Sequence, residues 1–401
     1  MKIPKGMHIP KGFGFRVAEA AIKKPGRPDL ALIFSEKEAA AAGVFTTNKI
    51  KGAPVRLDID RIKDGRARAI IVNSGNANVC NGQKGMRDAR EMARIASLGL
   101  GVDEKTVYVA STGVIGTPMP MERIRPKIAA MAEDASKYTA GFEDVARAIM
   151  TTDTFQKYAS TSFKLDGREV RIAAVAKGSG MIHPNMATML CFIITDMRIG
   201  RAALNLALKS SVEKSFNRIT VDGDTSTSDT VLIMANGLAG NSPVRQSSEG
   251  YALFSRALDA ITTELARMVA RDGEGATKLI EVHVKGAKTQ KDALRGAFTI
   301  AESPLVKTAF FGNDANWGRI MAAIGRSGIS IEENKVDIYM DKIKIVGKGK
   351  TTGKDSEAGK LLRESKEISL VVDLHLGTGS EKVLTCDLTG EYIRINAEYR
   401  T

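Results

Sequence analysis

The segment KGSGMIHPNMATMLCFIITD, which begins at Lys177, places a hydroxyl side chain between a flexible loop and an apolar strand. The glycines and the proline of Lys177–Pro184 give that loop conformational freedom. Small Ala187 precedes Thr188, and the apolar run Met189–Ile194 follows at once. A threonine hydroxyl held at this junction could attack the carbonyl before it in an N-to-O acyl shift. Hydrolysis would then release Thr188 as a new N-terminus.

An N-terminal threonine carries its own general base. Its α-amine has an unperturbed pKa of about 7.7–8.0, so it can take the hydroxyl proton near neutral pH. Threonine with its terminal amine is a known nucleophile–base pair that needs no histidine or cysteine. A glycine-rich turn before a strand is also a common structural element, so the residues alone leave the plain turn as the more frequent case.

Helical and strand-like patterns alternate along the chain and would position this segment. The apolar patterns predict strands at Ala67–Asn73, Val107–Ala110, Ala159–Leu165, Val170–Val175, Met189–Ile194, Ile219–Val221, Leu279–Val284, Val336–Tyr339, Ile343–Val346, Ile368–Leu374, Lys382–Cys386 and Tyr392–Ala397. Helical spacing occurs at Asp88–Leu100, Arg123–Asp134, Phe142–Met150, Arg201–Phe216 and Tyr251–Arg271. Asp166-Gly167 indicates a two-residue hairpin, and Lys348–Asp355 has the composition of a mobile linker. The order favours an α/β fold with mixed sheets.

Composition argues against several classes of function. The formal net charge is +13, but the basic residues are scattered and aromatic residues make up only 5% of the chain, so nucleic-acid binding is disfavoured. Three widely spaced cysteines and four histidines give neither a disulfide framework nor a metal motif. The N-terminus lacks a secretory apolar region, and no stretch approaches 18 consecutive apolar residues. We therefore expect a cytoplasmic protein with no membrane partner and no bound metal.

Several long blocks make the chain similar to a known family over essentially its whole length. Beside KGSGMIHPNMATML, these blocks are AGVFTTNK, NSGNANVCNG, STGVIG, MTTDT, TVDGDTSTSDT, DGEGATK, GNDANWGRI and INAEYRT. Their identity and order resemble the ornithine acetyltransferase family, also called the bifunctional glutamate N-acetyltransferase or arginine-biosynthesis protein J family. TVDGDTSTSDT could suggest a calcium loop, but it lacks the glutamate that an EF-hand carries at its twelfth position. We interpret it as a polar loop that supports the site.

The resemblance implies a specific reaction. Thr188, freed by cleavage after Ala187, would take acetyl from N2-acetylornithine and pass it to glutamate by a ping-pong mechanism. Thr112 and Gly113 of STGVIG would form the oxyanion hole, where each preset donor contributes about 3–4 kcal/mol. The reaction needs no cofactor, although acetyl-CoA is a possible co-substrate that the sequence neither supports nor excludes.

The family's substrate-binding positions are all present in this chain. The residues implied are Thr151, Lys177, Thr188, Glu274, Asn396 and Thr401. Lys177 would pair with the α-carboxylate of the substrate, and Glu274 with an ammonium such as that of ornithine. Thr151 is preferred over the neighbouring Thr152, although the motif separates them poorly.

The family also implies an architecture. The chain would consist of an alpha chain, residues 1–187, and a beta chain, residues 188–401, which together form a layered α/β/β/α sandwich with mixed sheets. Two copies of each piece would give a heterotetramer. The main alternative is an N-terminal-nucleophile amidohydrolase or aminopeptidase, which shares the self-cleavage but passes the acyl group to water.

Overall fold

The computed structural model describes residues 3, 6–133, 139–183 and 189–399. The chain forms two compact units, each described here by itself. The first lies within Met1–Gly178, Asn185–Asn217 and Asp224–Val269, and the second within Ser179–Pro184, Arg218–Gly223 and Ala270–Thr401. Each unit contains chain from both sides of the predicted break. The break itself lies outside the described residues, so the division into residues 1–187 and 188–401 stays a prediction.

Strands and helices alternate through most of the described chain. The strands are β1 Phe13–Ala18, β2 Leu30–Phe45, β3 Arg66–Asn73, β4 Val107–Ser111, β5 Lys157–Leu165, β6 Arg168–Lys177, β7 Leu190–Thr195, β8 Thr230–Ala235, β9 Leu279–Ala287, β10 Asp337–Met340, β11 Ile343–Gly347, β12 Lys350–Thr351, β13 Glu367–Asp373 and β14 Gly379–Cys386. The α-helices are α1 Ala53–Arg61, α2 Gly82–Leu100, α3 Met121–Glu133, α4 Phe142–Ala148, α5 Arg201–Lys214, α6 Glu249–Arg271, α7 Gln290–Ala301, α8 Pro304–Phe311, α9 Trp317–Gly325, α10 Asp355–Glu364 and α11 Gly390–Ala397.

The first unit is built on a mixed sheet with the strand order β4-β3-β2-β8-β7-β6-β5, and β1 pairs with β2. The pairs β3–β4 and β7–β8 are parallel and the other pairs are antiparallel. β2 is 16 residues long and joins the two halves of the sheet. Its register against β3 shifts between Phe34 and Ala39, and from Ala40 onward it pairs with β8.

Apolar clusters of described residues stabilise this unit. One contains residues from both halves of the sheet, such as Ile70 and Phe192, together with Phe142 of α4. Another lies between the first half of the sheet and helices α1, α2 and α3. β7 is buried along its full length, which explains why its sequence is a continuous apolar run rather than an alternating one.

The second unit is built on a mixed sheet with the strand order β12-β11-β10-β13-β9-β14. The β13–β9 pair is parallel, and the remaining pairs are antiparallel. Its core combines strand residues such as Val282 and Leu370 with buried residues of helices α7 to α10, among them Ile300 and Leu362. The predicted α/β class with mixed sheets is therefore confirmed.

The structure corrects three local predictions. Tyr392–Ala397 is not a strand but part of α11, because Thr389 caps a helix by accepting the backbone N–H of Tyr392. At Ile219–Val221 only Ile219 forms a bridge, to Leu384. Lys348–Asp355 is not a linker, since it holds a hairpin turn, β12 and the first residue of α10.

The other predicted helices and strands are present within a few residues of their expected ends, except that α2 begins at Gly82 and not at Asp88. Asp166 and Gly167, with φ of 52° and 70°, form the predicted hairpin turn between β5 and β6. Cys80, Cys191 and Cys386 are free thiols. Within the described ranges, no helix combines the length and apolar character needed to cross a membrane.

Candidate active site

The chain makes a tight turn at Thr112 and Gly113, directly after β4. Thr112 is buried, and its N–H donates to the Asn73 carbonyl over 3.1 Å. Gly113 has a φ of 133°, and a Cβ there would lie 2.2 Å from the carbonyl carbon of Gly75. Only glycine fits this position. Among the described residues the Gly113 N–H makes no backbone hydrogen bond, so this amide is available as a donor.

The Asn- and Gly-rich block after β3 forms the bonded loop that supports this turn. The Asn73 side chain donates to the Asn76 carbonyl over 2.8 Å and accepts the Ser111 hydroxyl over 2.6 Å. The Asn76 side chain donates to the Thr117 carbonyl over 3.0 Å. Amides both donate and accept, so a run of asparagines can tie β3, β4 and the turn together.

Lys177 ends β6 with a buried side chain. Its Nζ lies 3.4 Å from the Thr112 Oγ1, which acts as the acceptor. Because the Thr112 oxygen accepts from Lys177, its hydroxyl hydrogen can point elsewhere and donate. The structure therefore brings three predicted site residues, Thr112, Gly113 and Lys177, to one place.

A buried aspartate ties Lys177 to the MTTDT segment. Asp153 accepts the Thr151 N–H over 3.0 Å, the Gly178 N–H over 2.8 Å and the Lys157 Nζ over 2.7 Å. The side chains of Asp153 and Lys157 are both fully buried. Burial alone would raise the pKa of Asp153, but the charges of Lys157 and Lys177 hold it well below its usual range.

These contacts place Thr151 at the same cluster. Thr151 and Thr152 are both half-buried, and the backbone of Thr151 is fixed by Asp153. The choice between the two threonines as the substrate contact stays a prediction.

Asp229, directly before β8, holds the start of β7. Its Oδ1 accepts the N–H of Met189 over 3.1 Å, while its buried Oδ2 has no partner in the described part of the chain. Burial raises the pKa of Asp229 well above its usual value. The Met189 N–H, the neighbouring hydroxyls of Ser226 and Thr46 and the charge of Lys177 offset this only in part.

Glu274 and Asn396 meet in the second unit. The Asn396 Nδ2 donates to the Glu274 Oε2 over 2.8 Å. A Cβ on Gly180 would lie 2.4 Å from the Glu274 carboxylate, so a side chain at this position would displace the Glu274 carboxylate. The Glu274 N–H donates to the Ser179 carbonyl over 3.0 Å, which fixes this approach through the backbone.

Asp222 anchors the last described part of the same loop. It accepts the N–H groups of Met181 and Ile182 over 2.6 and 2.8 Å, and the Tyr392 hydroxyl over 3.3 Å. His183 follows, with its Nε2 2.9 Å from the Glu302 Oε1. These contacts fix the loop as far as His183, the last described residue before Met189.

The predicted residues thus fall into three sets. Thr112, Gly113, Thr151 and Lys177 lie together in the first unit, and Glu274 and Asn396 lie together in the second. Ala187, Thr188 and Thr401 lie outside the described residues. Within the described ranges, no group of three His, Cys, Asp or Glu side chains is arranged to hold a metal ion.

Sequence reasoning did not identify Asp153, Lys157 and Asp229 as members of this cluster. Asp153 and Asp229 belong to the MTTDT and TVDGDTSTSDT blocks, whose carboxylates were not singled out there as site residues. Lys157 gave no motif signal, because a lysine at the start of a strand is ordinarily solvent-exposed.

Comparison with known proteins assigns the chain to a family. The model of the ArgJ family matches residues 14–401. This chain belongs to the ArgJ family. The arginine biosynthesis bifunctional protein ArgJ of Geobacter sulfurreducens is 51% identical over 98% of this chain and 99% of its own length. The protein of the same name from Caldanaerobacter subterraneus is 47% identical over 98% of both chains. The resemblance drawn from the sequence blocks is thereby confirmed.

A solved ArgJ relative adds information about chain length. The crystal structure of arginine biosynthesis bifunctional protein ArgJ from Bacillus halodurans matches with a TM-score of 0.50 and 46% identity. The match covers 97% of that chain but only 51% of this one. The solved ArgJ chain is therefore about half as long as the chain described here.

Proposed function

We propose that this ArgJ-family acyltransferase moves acetyl from N2-acetylornithine to glutamate, through a Thr188 that self-cleavage after Ala187 exposes. The observation that carries the proposal is the meeting of Thr112, Gly113 and Lys177 at the ends of β4 and β6. β7 pairs with β6, with Leu190 opposite Lys177, and it begins two residues after Thr188 in the sequence, which supports a nucleophile near this cluster. The half-length solved relative also supports a chain that is cut near its middle.

The reaction proceeds in two acyl transfers. The Thr188 hydroxyl attacks the acetyl carbonyl, and the α-amine of Thr188 takes the hydroxyl proton. The Thr112 hydroxyl and the Gly113 N–H stabilise the oxyanion. The C–N bond then breaks and ornithine leaves with the proton, so that an acetyl ester remains on Thr188. The amine of glutamate attacks this ester, the ester C–O bond breaks, and the proton lost by that amine returns to the Thr188 oxygen as N-acetylglutamate leaves.

The remaining site residues hold the two substrates. Lys177 pairs with the α-carboxylate that both amino acids carry. Thr151, Glu274, Asn396 and Thr401 supply the other polar contacts, with Glu274 facing the ornithine ammonium. Asp153 keeps Thr151 and Gly178 in place around Lys177.

Three finer points belong to the same proposal. Acetyl-CoA serves as a second acetyl donor, in keeping with the word bifunctional in the names of the relatives. The two pieces assemble as a heterotetramer of two copies each. The enzyme works in the cytoplasm, in keeping with its three free thiols.

Mass spectrometry of the purified chain beside Thr188→Ala tests the cleavage. We expect wild type to give two pieces of nearly equal length, with the second beginning at Thr188, and the variant to give one intact chain. An intact wild type with full activity would refute the mechanism.

A transfer assay separates this function from the amidohydrolase alternative. Acetylornithine is supplied with and without glutamate, and both ornithine release and N-acetylglutamate are measured. We expect release to depend on glutamate. Ornithine release to water that outpaces transfer at millimolar glutamate would favour the hydrolase.

A further inference from the structure

Asp222, in the TVDGDTSTSDT block, is a half-buried residue of the second unit that the reaction proposed above does not use. Its Oδ2 accepts the N–H of Met181 over 2.6 Å, and its Oδ1 accepts the N–H of Ile182 over 2.8 Å. Met181 has a φ of 57°, a left-handed conformation that is unfavourable for a residue with a Cβ. Asp222 therefore holds the chain in a turn that it would otherwise rarely adopt.

The two residues before this turn contact Glu274. The Ser179 carbonyl accepts the Glu274 N–H over 3.0 Å, and a Cβ on Gly180 would lie 2.4 Å from the Glu274 carboxylate. The Ser179 hydroxyl also donates to the Asp272 carbonyl over 2.6 Å, which ties the loop to the same segment a second time. Because Gly180 directly precedes Met181, fixing Met181 also fixes the backbone that lies against the Glu274 carboxylate.

A second series of contacts joins Asp222 to Glu274 through α11. The Tyr392 hydroxyl donates to the Asp222 Oδ2 over 3.3 Å, and one helical turn later the Asn396 Nδ2 donates to the Glu274 Oε2 over 2.8 Å. The same Nδ2 donates to the Tyr392 carbonyl over 3.0 Å, which orients the amide of Asn396. Asp222 thus contacts both the loop and the helix that contact Glu274.

We infer that Asp222 is the positioning residue of Glu274: it holds the loop of residues 179–182 and helix α11, and these two place the Glu274 carboxylate for the ammonium of ornithine. The inference rests on the proposed function, in which Glu274 faces that ammonium. A binding group is effective only when its neighbours keep it close to the productive geometry. Glutamate has no side-chain ammonium, so the role of Asp222 concerns one of the two substrates.

Steady-state kinetics of Asp222→Asn test the inference. The variant keeps the shape of the side chain, but if its single oxygen accepts the N–H of Ile182, an NH2 group faces the N–H of Met181. In a ping-pong reaction, kcat/KM for each substrate reports its own half-reaction. We expect kcat/KM for N2-acetylornithine to fall about tenfold and kcat/KM for glutamate to stay within about twofold. A purely structural role would lower the melting temperature without separating the two substrates.

A double-mutant cycle tests whether Asp222 acts through Glu274. In the Glu274→Gln background, Asp222→Asn should change kcat/KM for acetylornithine by less than about twofold, because the carboxylate that Asp222 positions is already absent. A further loss of about tenfold in that background would overturn the inference, since Asp222 would then act independently of Glu274.

The matched control is Asp337→Asn. Asp337 is also a carboxyl residue of the second unit, and it accepts the N–H of Lys348, which has a left-handed φ of 52°, over 2.8 Å. Glu274 precedes the first residues of β9, whereas Asp337 pairs with Asp373, opposite the last residues of that strand. The control should therefore keep kcat/KM for both substrates.

Other outcomes separate this inference from the proposed function. Equal losses for both substrates, or no loss for either, would overturn the inference while the acetyl transfer stands. A folded but uncut Asp222→Asn would overturn it too, since the role of Asp222 would then precede cleavage. Wild type that transfers no acetyl from acetylornithine would refute the proposed function itself. If Asp222→Asn does not fold, Tyr392→Phe, which removes the hydroxyl donor to Asp222, is read by the same criteria with an expected loss of about threefold.

Discussion

Two buried lysines and one aspartate form the charged centre of the first unit. Lys157 and Lys177 are 0% and 2% exposed, and both act on Asp153. In the proposed reaction, the α-carboxylate common to acetylornithine and glutamate is the anion that pairs with Lys177, so one cluster would serve both substrates.

Removal of Lys157 should destabilise the fold. Lys157→Met would leave the buried Asp153 carboxylate without its 2.7 Å partner, at a cost of about 3–5 kcal/mol in the free energy of unfolding. Urea unfolding measures this change. Lys84→Met is the control, because Lys84 is half exposed and its ion pair with Asp88 should contribute about 1 kcal/mol or less. Equal losses for both variants would contradict the assigned role of Lys157.

Gly113 and Gly116 differ in what surrounds them, although both have positive φ. Gly113→Ala should lower the free energy of unfolding by about 1–3 kcal/mol through crowding against Gly75 and by about 1–3 kcal/mol more through backbone strain. Transfer activity should be lost as well. Gly116→Ala meets open space and should cost only about 1–2 kcal/mol of strain. Thermal melting and the transfer assay compare the two, and similar melting points would argue against a tight turn at Gly113.

At the scale of elements, α1 is joined to β4 through a carboxyl. Both oxygens of Asp58 lie within hydrogen-bond distance of the Val109 nitrogen, and burial raises the pKa of Asp58 well above its usual value, with Val109 and Arg61 opposing the shift. A carboxyl of this kind favours the folded state most when it is protonated.

The stability of wild type relative to Asp58→Asn should therefore depend on pH. The advantage of wild type should be complete below the unfolded pKa of about 3.9 and should be lost as pH rises through the folded pKa. Urea unfolding of both proteins between about pH 4 and about pH 8 measures the difference. A difference that grows toward high pH would have the wrong sign for a buried neutral acid.

Elements with strong periodicity were predictable from the sequence. β7 was recognisable from the apolar run Met189–Ile194, and the hairpin before it from Asp166-Gly167. α11 was not, because Tyr392–Ala397 alternates apolar and polar residues as a strand would. Its helix depends on the Thr389 cap, and the 3.0 Å bond from Asn396 to the Tyr392 carbonyl spans one helical turn.

The candidate site was predictable where a motif named its residues, and not where burial decides their role. Thr112, Gly113 and Lys177 follow from their blocks and do come together. The pairing of Lys157 with Asp153 depends on both side chains being enclosed, which no local pattern reveals.

At the scale of the whole molecule, the predicted cut falls between two strands that pair with each other. β6 precedes it and β7 follows it, with partners from Ile172 and Thr195 to Lys177 and Leu190. β5 and β8 continue the sheet on either side. A cut in the connection therefore breaks none of the described strand pairs.

Because β6 and β7 remain paired, the two pieces should stay together after cleavage. Gel filtration of the cut enzyme should give one peak that contains both pieces, at a mass of about twice the whole chain if the heterotetramer forms. Concentrated guanidinium chloride should separate them. Pieces that part without denaturant would contradict the shared sheet, and a mass of one chain would contradict only the heterotetramer.

The long strand β2 has an evolutionary consequence. Its first half pairs with β1 and β3, and a register shift against β3 lies between Phe34 and Ala39. Beyond the shift, Ala39 and Ala40 still pair with β3, and from Ala40 onward the second half pairs with β8. Side chains alternate faces along a strand, so one residue gained or lost within either half would turn inward residues outward. The irregular stretch between the halves is the one place along β2 where such a change could be absorbed. Insertions and deletions in β2 among homologues should therefore fall between Phe34 and Ala39. On either side of that stretch, the number of residues in β2 should stay the same or change by an even number.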